Sequence, residues 1–600
     1  MIRLLLATGL FFILTTAQAA TGSFEGMDHP RSVQELWAGY DPRVLPLDIE
    51  VKEEWTEDHI HYRKFYFTGE IWEGVPVRVF AYTGTPVDGK KLPAVLHIHG
   101  GGQTARLEWV KFWAKRGYVV GSFDFSGPVF GHKETTQWGK FPNKPGETNP
   151  SIRHNGWVHW ILLSRRMLTV LEQMPETDPE RMGIFGISVG GTLTWMVAGS
   201  DSRVKVAVPI YGNGWSTYGP SGSPPPANPD EATVLRRATA ESEAYAPFIT
   251  CPVLFMSATQ DGHGKMDNGY RTLALTRGIK RVIQTPYYDH HVEPGEGVDL
   301  PLWMDAHLRN GEPFPETPQI KLRLTKGVAE AIVTADKPDN VVRVKIFYCL
   351  GDKVPEGRFW RLAKSRSRGC DWLASLPTVD TRLPVRAFAN VYYRSGMALT
   401  SEIQVGVPAQ MGAARATLRP SLVLEDFADG FEGWYAEGAY TDPFIHWSYL
   451  SACKGKHGRG VTFSAEAPTT HAGKRDYFFG QYLGENLGID SNKIGDPQFR
   501  GPSGASLSFW FKPSGYNMLK VRVEEDTRTG RWHNYVAEVK LDESPAWQRF
   551  VLAPDKFKTT EGNPLGSWER VDRISFIPGG VSPEKPILGR IEWMMKRPKD

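Results

Sequence analysis

Apolar positions fall into three rhythms along the chain. Residues 21–90 contain short aromatic runs, Arg63–Phe67 and Val77–Phe80, with Trp72-Glu73-Gly74 placed to turn a hairpin between them. From residue 91 to about 315, apolar strands alternate with helical periodicity. Ala94–Ile98, Tyr118–Val120, Arg181–Phe185, Val204–Ile210, Pro252–Met256 and Arg281–Gln284 read as strands. Leu107–Arg116 and Val158–Met174 read as helices. Several of these strands are apolar at every position, which predicts a mainly parallel sheet covered by helices on both faces. After Pro313-Phe314-Pro315 the helical period disappears. Alternating strands at Ile320–Leu324, Ala331–Val333, Val342–Tyr348 and Ala387–Tyr393 predict a sandwich of immunoglobulin size. A Trp- and Gly-rich β region follows, opened by Leu422–Phe427 and closed by Ile587–Trp593.

The first twenty residues have another pattern. Arg3 precedes an apolar run, Leu4–Leu14, and Ala17-Gln18-Ala19 supplies a small-x-small cleavage pattern, the layout of a secretory signal peptide. No later segment approaches a membrane-spanning apolar run of about 18 residues. The expected division is therefore 1–20 signal peptide, 21–317 α/β unit with an N-terminal β extension, 318–420 sandwich and 421–600 C-terminal β domain. The expected location is secreted or periplasmic.

Composition narrows the function classes. The 600 residues carry 70 Lys+Arg against 67 Asp+Glu, a net +3 that lacks the basic excess of a nucleic-acid binder. Four Cys exclude a disulfide-dense scaffold and a Cys-rich zinc protein. An oxidising compartment permits disulfides, and Cys349 with Cys370 is the pair the spacing suggests. Twenty Trp and 12% aromatic residues call for β cores, flat apolar ligand faces, or both.

The chemistry concentrates in Gly186-Ile187-Ser188-Val189-Gly190-Gly191, which follows a strand and opens a helix. That is the context of a nucleophile elbow: a tight turn projects the Ser hydroxyl, and flanking glycines let the backbones close in. The Val189 N–H, at the helix start, points at a developing oxyanion. Upstream, His99-Gly100-Gly101-Gly102 offers a second N–H, from Gly101 or Gly102, with Gly101 preferred. The order Ser, acid, His places the acid on the loop after Pro252–Ser257. Asp261 is the candidate there and Asp267 the later alternative. The loop after Val204–Ile210, Tyr211-Gly212-Asn213-Gly214, has no carboxylate. After the last strand, Tyr287-Tyr288-Asp289-His290-His291 offers two bases, of which His290 is preferred. Adjacent histidines rarely converge on one ion and no metal-ligand spacing surrounds them, so no metal is expected at this site. Trp138, Trp215 and Tyr287 lie near the loops at the sheet's C-terminal end and are candidate substrate contacts.

The segments HIHGGGQ (97–103), FDFSG (123–127), DPERMGIFGISVGG (178–191), DSRVKVAVPIYG (201–212), SATQDGHG (257–264) and DHH (289–291) resemble the α/β-hydrolase superfamily, in particular the dienelactone hydrolase/acetyl xylan esterase-like group. Ser188 stands where true dienelactone hydrolases use Cys. Ser188-Val189 also departs from the Ser-Gln or Ser-Arg of some carbohydrate-esterase branches. The resemblance implies a secreted serine esterase acting on an acylated carbohydrate, without a cofactor, on a small-molecule or polysaccharide ester. The alternative it leaves is a serine peptidase of the cocaine esterase/X-Pro peptidase type, which also joins this fold to a jelly roll. Glu425-Asp426-Phe427, Gly433-Trp434 and Ile591-Glu592-Trp593 are similar to jelly-roll carbohydrate-binding modules. That second resemblance implies polysaccharide binding, a stacking surface drawn from Trp434, Trp447, Tyr449, Trp510, Trp532, Trp547, Trp568 and Trp593, and a structural calcium at Glu425, Asp426 or Glu592. Neither a nucleic-acid partner nor a membrane association after signal cleavage is expected.

Overall fold

The computed structural model describes residues 21–26, 28–129, 132–213, 228–287, 290, 292, 298–351, 354–436, 450–463, 488–525, 533–542, 544–579 and 584–595. The expected signal peptide, the Pro-rich stretch around residue 220, Trp215, His291, Trp447, Tyr449 and Trp532 lie outside them.

Nine strands build the first sheet: β1 (Glu50–Glu57), β2 (Ile60–Trp72), β3 (Val75–Pro86), β4 (Leu92–Ile98), β5 (Val119–Phe123), β6 (Thr177–Ile187), β7 (Val204–Ile210), β8 (Val253–Ala258) and β9 (Lys280–Thr285). Their spatial order is β1-β2-β3-β5-β4-β6-β7-β8-β9. The first three are antiparallel, and β2 turns into β3 through Glu73 and Gly74, both at positive φ, with Trp72 opposite Val75. From β5 to β9 every pairing is parallel. Strands β4, β5, β7, β8 and β9 are buried almost end to end and β6 from Met182 onward, in keeping with their largely apolar sequence. The order reverses about β4, so the loops leaving β4 and its neighbours open a crevice at one edge. The helix Gly156–Glu172 packs on this sheet, capped by Asn155, whose side chain accepts the Trp157 N–H.

The N-terminal extension contributes to the core of this unit before its first strand. Phe24, Val33, Leu36, Tyr40 and Leu47 enter the core. The fully buried Arg166 anchors the segment by donating to the carbonyls of Pro42, Leu45 and Pro46.

Two antiparallel sheets follow. One holds Gln319–Thr325, Val328–Thr334, Asp371–Leu376 and Ser365–Arg368. The other centres on Val341–Leu350 and Val385–Tyr393. The cysteine pairing suggested by spacing does not form. Cys349 is buried in the second sheet, beside Met266, Phe347, Trp360 and Phe388, whereas Cys370 is exposed at a hairpin tip of the first. Both thiols are free, and burial pushes the Cys349 thiol up to about 11.

The last region is again two antiparallel sheets stacked over a shared core that includes Phe509, Ile591, Val521 and Phe576. Its first short strand, Val423–Glu425, pairs with its last, Ile587–Met594. Trp434, Trp568 and Trp593 are core residues, while Trp510 and Trp547 are half-buried. Two of the carboxylates named for calcium have protein partners. Glu425 accepts the Trp434 indole N–H and pairs with Lys493, and Glu592 pairs with Arg549 and Arg590. No cluster of three or more His, Cys, Asp or Glu able to hold a metal occurs among the described residues.

Candidate active site

β6 ends at Ile187, and Ser188 turns the chain at φ 59°, ψ −117° into the helix Val189–Ser200. A non-glycine residue at this φ is strained, and the surroundings hold it there. The Ser188 N–H donates to Ile210 O at 2.9 Å, tying the elbow to the end of β7. The glycines are required by contact. A Cβ on Gly186 would lie 2.2 Å from Gly190 O, and one on Gly190 would lie 2.1 Å from Ile98 O.

The glycine run after β4 lies beside this elbow. A Cβ on Gly101 would sit 3.0 Å from the Val189 Cγ2, so the two expected oxyanion donors are neighbours. His99, fully buried, stacks on Phe125 with ring centroids 4.0 Å apart. Its Nε2 accepts the Phe125 N–H, and its Nδ1 donates to Gly100 O. Asp124 accepts the N–H groups of Ser126, Gly127 and Thr136, which fixes the neighbouring loop.

The structure brings Ser188, His290 and Asp261 into one line. Ser188 Oγ is 2.8 Å from His290 Nε2, and His290 Nδ1 is 2.8–2.9 Å from the two Asp261 oxygens. Asp261 is fully buried on the loop leaving β8 and also accepts the N–H groups of His263 and Gly264. Burial pushes its pKa up. The His290 charge and the hydrogen bonds from His290, Gly264 and His263 outweigh burial and hold it below the usual carboxylate range. The alternative acid, Asp267, is engaged elsewhere, in a two-point pair with Arg358 at 2.6 Å per contact.

Three further residues shape the site. The His290 ring lies between Tyr211, 4.9 Å away, and His263, 5.2 Å away edge-on. The Tyr211 hydroxyl accepts the Val292 N–H at 3.0 Å, holding the chain just past His290. Gln260 accepts the Tyr287 N–H at 3.0 Å and donates to Arg358 O at 2.9 Å. Tyr211 had a sequence signal, its position at a strand end beside Gly212. Gln260 and Arg358 had none, because 98 residues separate them.

Of the expected substrate contacts, Trp138 is 8% exposed and packs on Phe141 in the core. Tyr287 is turned toward the sandwich, against the cluster of Phe347, Cys349 and Trp360. Burial raises its phenol pKa well above the ordinary value.

YtaP of Bacillus subtilis (strain 168), a protein named as a hydrolase, is 28% identical over 131 residues, 20% of this chain. That match spans 42% of YtaP's own length. Among solved structures, the acetyl xylan esterase from Paenibacillus sp. R4 aligns with TM-score 0.38 and 19% identity, covering 44% of this chain and 91% of that one. Acetyl xylan esterase 1 from Thermoanaerobacterium sp. JW/SL YS485 aligns with TM-score 0.36 and 21% identity, covering 44% and 88% respectively. Residues 80–290, which carry the elbow, the glycine run, Asp261 and His290, match the dienelactone hydrolase family.

Proposed function

We propose that this chain is an exported serine esterase that removes acyl groups, acetyl in the first place, from an esterified carbohydrate. The observation that carries the reading is the unbroken line from Ser188 Oγ through His290 to the buried Asp261, with Gly101 next to Val189, the residue after the serine. In the acylation step, Ser188 Oγ attacks the ester carbonyl carbon while its proton passes to His290 Nε2. Asp261 holds the imidazole with Nδ1–H toward itself and stabilises the imidazolium. The carbonyl oxygen, now an oxyanion, lies against the N–H groups of Val189 and Gly101, whose partial charges are already oriented. Collapse breaks the C–O bond, and the departing alcohol oxygen takes the proton from His290. A water then repeats the sequence on the acyl-Ser188, giving up its proton to His290 and releasing the acid.

The test is turnover of p-nitrophenyl acetate and release of acetate from acetylated xylan. Ser188→Ala is expected to lower kcat by about 10⁴-fold or more at unchanged folding, since serine and histidine act as a unit. Turnover unaltered in Ser188→Ala sinks the reading, and turnover of aminoacyl-Pro amides without ester hydrolysis replaces it with the peptidase.

A further inference from the structure

The loop that carries Asp261 is gripped from outside its own domain. Between the sandwich strands Val341–Leu350 and Arg361–Ala363, the chain makes a short turn, Pro355–Gly357, and residues 355–360 are buried. Three contacts run from this turn to the acid loop and the helix behind it. Gln260 donates its side-chain N–H to Arg358 O. The Lys265 ammonium pairs with Glu356, and the Arg358 guanidinium grips both Asp267 oxygens. Gln260, Lys265, Glu356 and Arg358 are all at most 3% exposed. Asp261 thus lies inside a span held at positions 260, 265 and 267. The Gln260 side chain also accepts the Tyr287 N–H, three residues before His290, so one amide joins the acid loop, the histidine loop and the sandwich. Behind the turn the C-terminal region braces it: Asn492 donates to Glu356 O at 2.8 Å and Arg361 pairs with Asp496.

Buried ion pairs contribute little net stability, because desolvation offsets most of their attraction. What they do supply is geometry: a guanidinium on both oxygens of one carboxylate admits few arrangements. Resting on the serine esterase reading above, we propose that Gln260 and Arg358 are positioning residues for Asp261, so that the sandwich turn is part of the catalytic apparatus and the α/β unit alone is catalytically incomplete.

The test uses the full chain, p-nitrophenyl acetate, and titration of Ser188 with a fluorophosphonate to count competent sites. Arg358→Met and Gln260→Leu are expected to label to completion, more slowly, with kcat per labelled site reduced about 10- to 100-fold and KM within twofold, the loss typical of a misplaced catalytic group. Arg358→Lys, which keeps the charge but not the two-point grip, is expected to recover part of that loss. A kcat per labelled site within twofold of wild type in both variants overturns the proposal, whatever happens to the melting temperature, and leaves these contacts a structural role only. If Arg358→Met does not fold, Gln260→Leu, which leaves both ion pairs in place, decides by the same criterion. A wild-type chain that neither labels nor hydrolyses the ester overturns the esterase reading itself, and this inference with it.

Discussion

The two ends of the Ser188–His290–Asp261 line are built by different means. The serine end is made by backbone alone: a strained turn, glycines whose Cβ atoms have no room, and the end of β7 holding the elbow by a single N–H. Everything it needs lies in the α/β unit. The acid end adds buried side-chain contacts to its backbone ones: Glu356 and Arg358 of the sandwich pair with Lys265 and Asp267, and Gln260 donates to the Arg358 carbonyl. The lesson is that steric exclusion fixes the nucleophile, whereas desolvated polar contacts fix its acid. The first is rigid and local. The second ties the site to the docking of another domain.

That contrast can be broken by substitution. The largest effect should come from the acid itself. Asp261→Asn is expected to lower kcat about 10⁴-fold, the cost of an imidazole held in the wrong tautomer. Asp267→Asn, which touches no imidazole, should cost no more than about 100-fold. Equal losses measured on p-nitrophenyl acetate would erase the distinction between the two carboxylates. Next in size is Gly190→Ala, whose methyl would enter the Ile98 carbonyl. Urea unfolding should show a loss of about 3–5 kcal/mol or failure to fold, as expected of overpacking against fixed backbone. Stability within about 1 kcal/mol of wild type would show that the elbow is softer than its contacts imply.

The smallest effect is one of pH. In the folded chain Asp261 and Asp267 both lie below the usual carboxylate range. For Asp267, burial is overcome by the charge and hydrogen bonds of Arg358. A depressed folded pKa contributes stability above the unfolded value of about 3.9, and that stability is lost as pH falls through the folded value. The melting temperature should therefore decline below about pH 4. Asp267→Asn should melt lower than wild type at pH 7, with the gap closing in acid. The elbow, residues 186–191, contains no carboxylate and adds nothing to this limb. A gap that stays constant from pH 7 to pH 3 would contradict the assignment.

The same contrast governs what the sequence discloses. Ser188, Gly101 and Val189 were legible because a strand, a glycine-flanked serine and a helix stand next to one another in the chain. Asp261 and His290 followed from their places after β8 and β9, with Asp267 and His291 left open. Geometry then put Asp261 beside His290 and gave Asp267 to Arg358. Arg358 and Glu356 were illegible, since a lone Arg or Glu in a loop reads as a solvated charge until a distant strand buries it. Trp138 and Tyr287 show the same difficulty for aromatic residues. An aromatic residue on a loop reads as a ligand contact, but Trp138 sits in the core and Tyr287 packs, half-buried, against a cluster of the sandwich. The strands of the later regions showed their alternation well, but the partners that pair them are not written in any local period.

One more property follows from the flank of β9. Gln284, in this last strand of the nine-stranded sheet, spends its backbone N–H on the Thr400 hydroxyl and its carbonyl on the Asn390 amide, both side chains of the sandwich. At the opposite flank, β1 presents Glu50, Lys52, Glu53, Glu54 and Glu57 to solvent. An open sheet normally invites another chain to add a strand, and both invitations are withdrawn here, one by occlusion and one by charge. The sandwich thus occupies backbone groups of the β9 edge that an added strand would need. Separating the first two regions would expose that backbone edge to pairing with another strand.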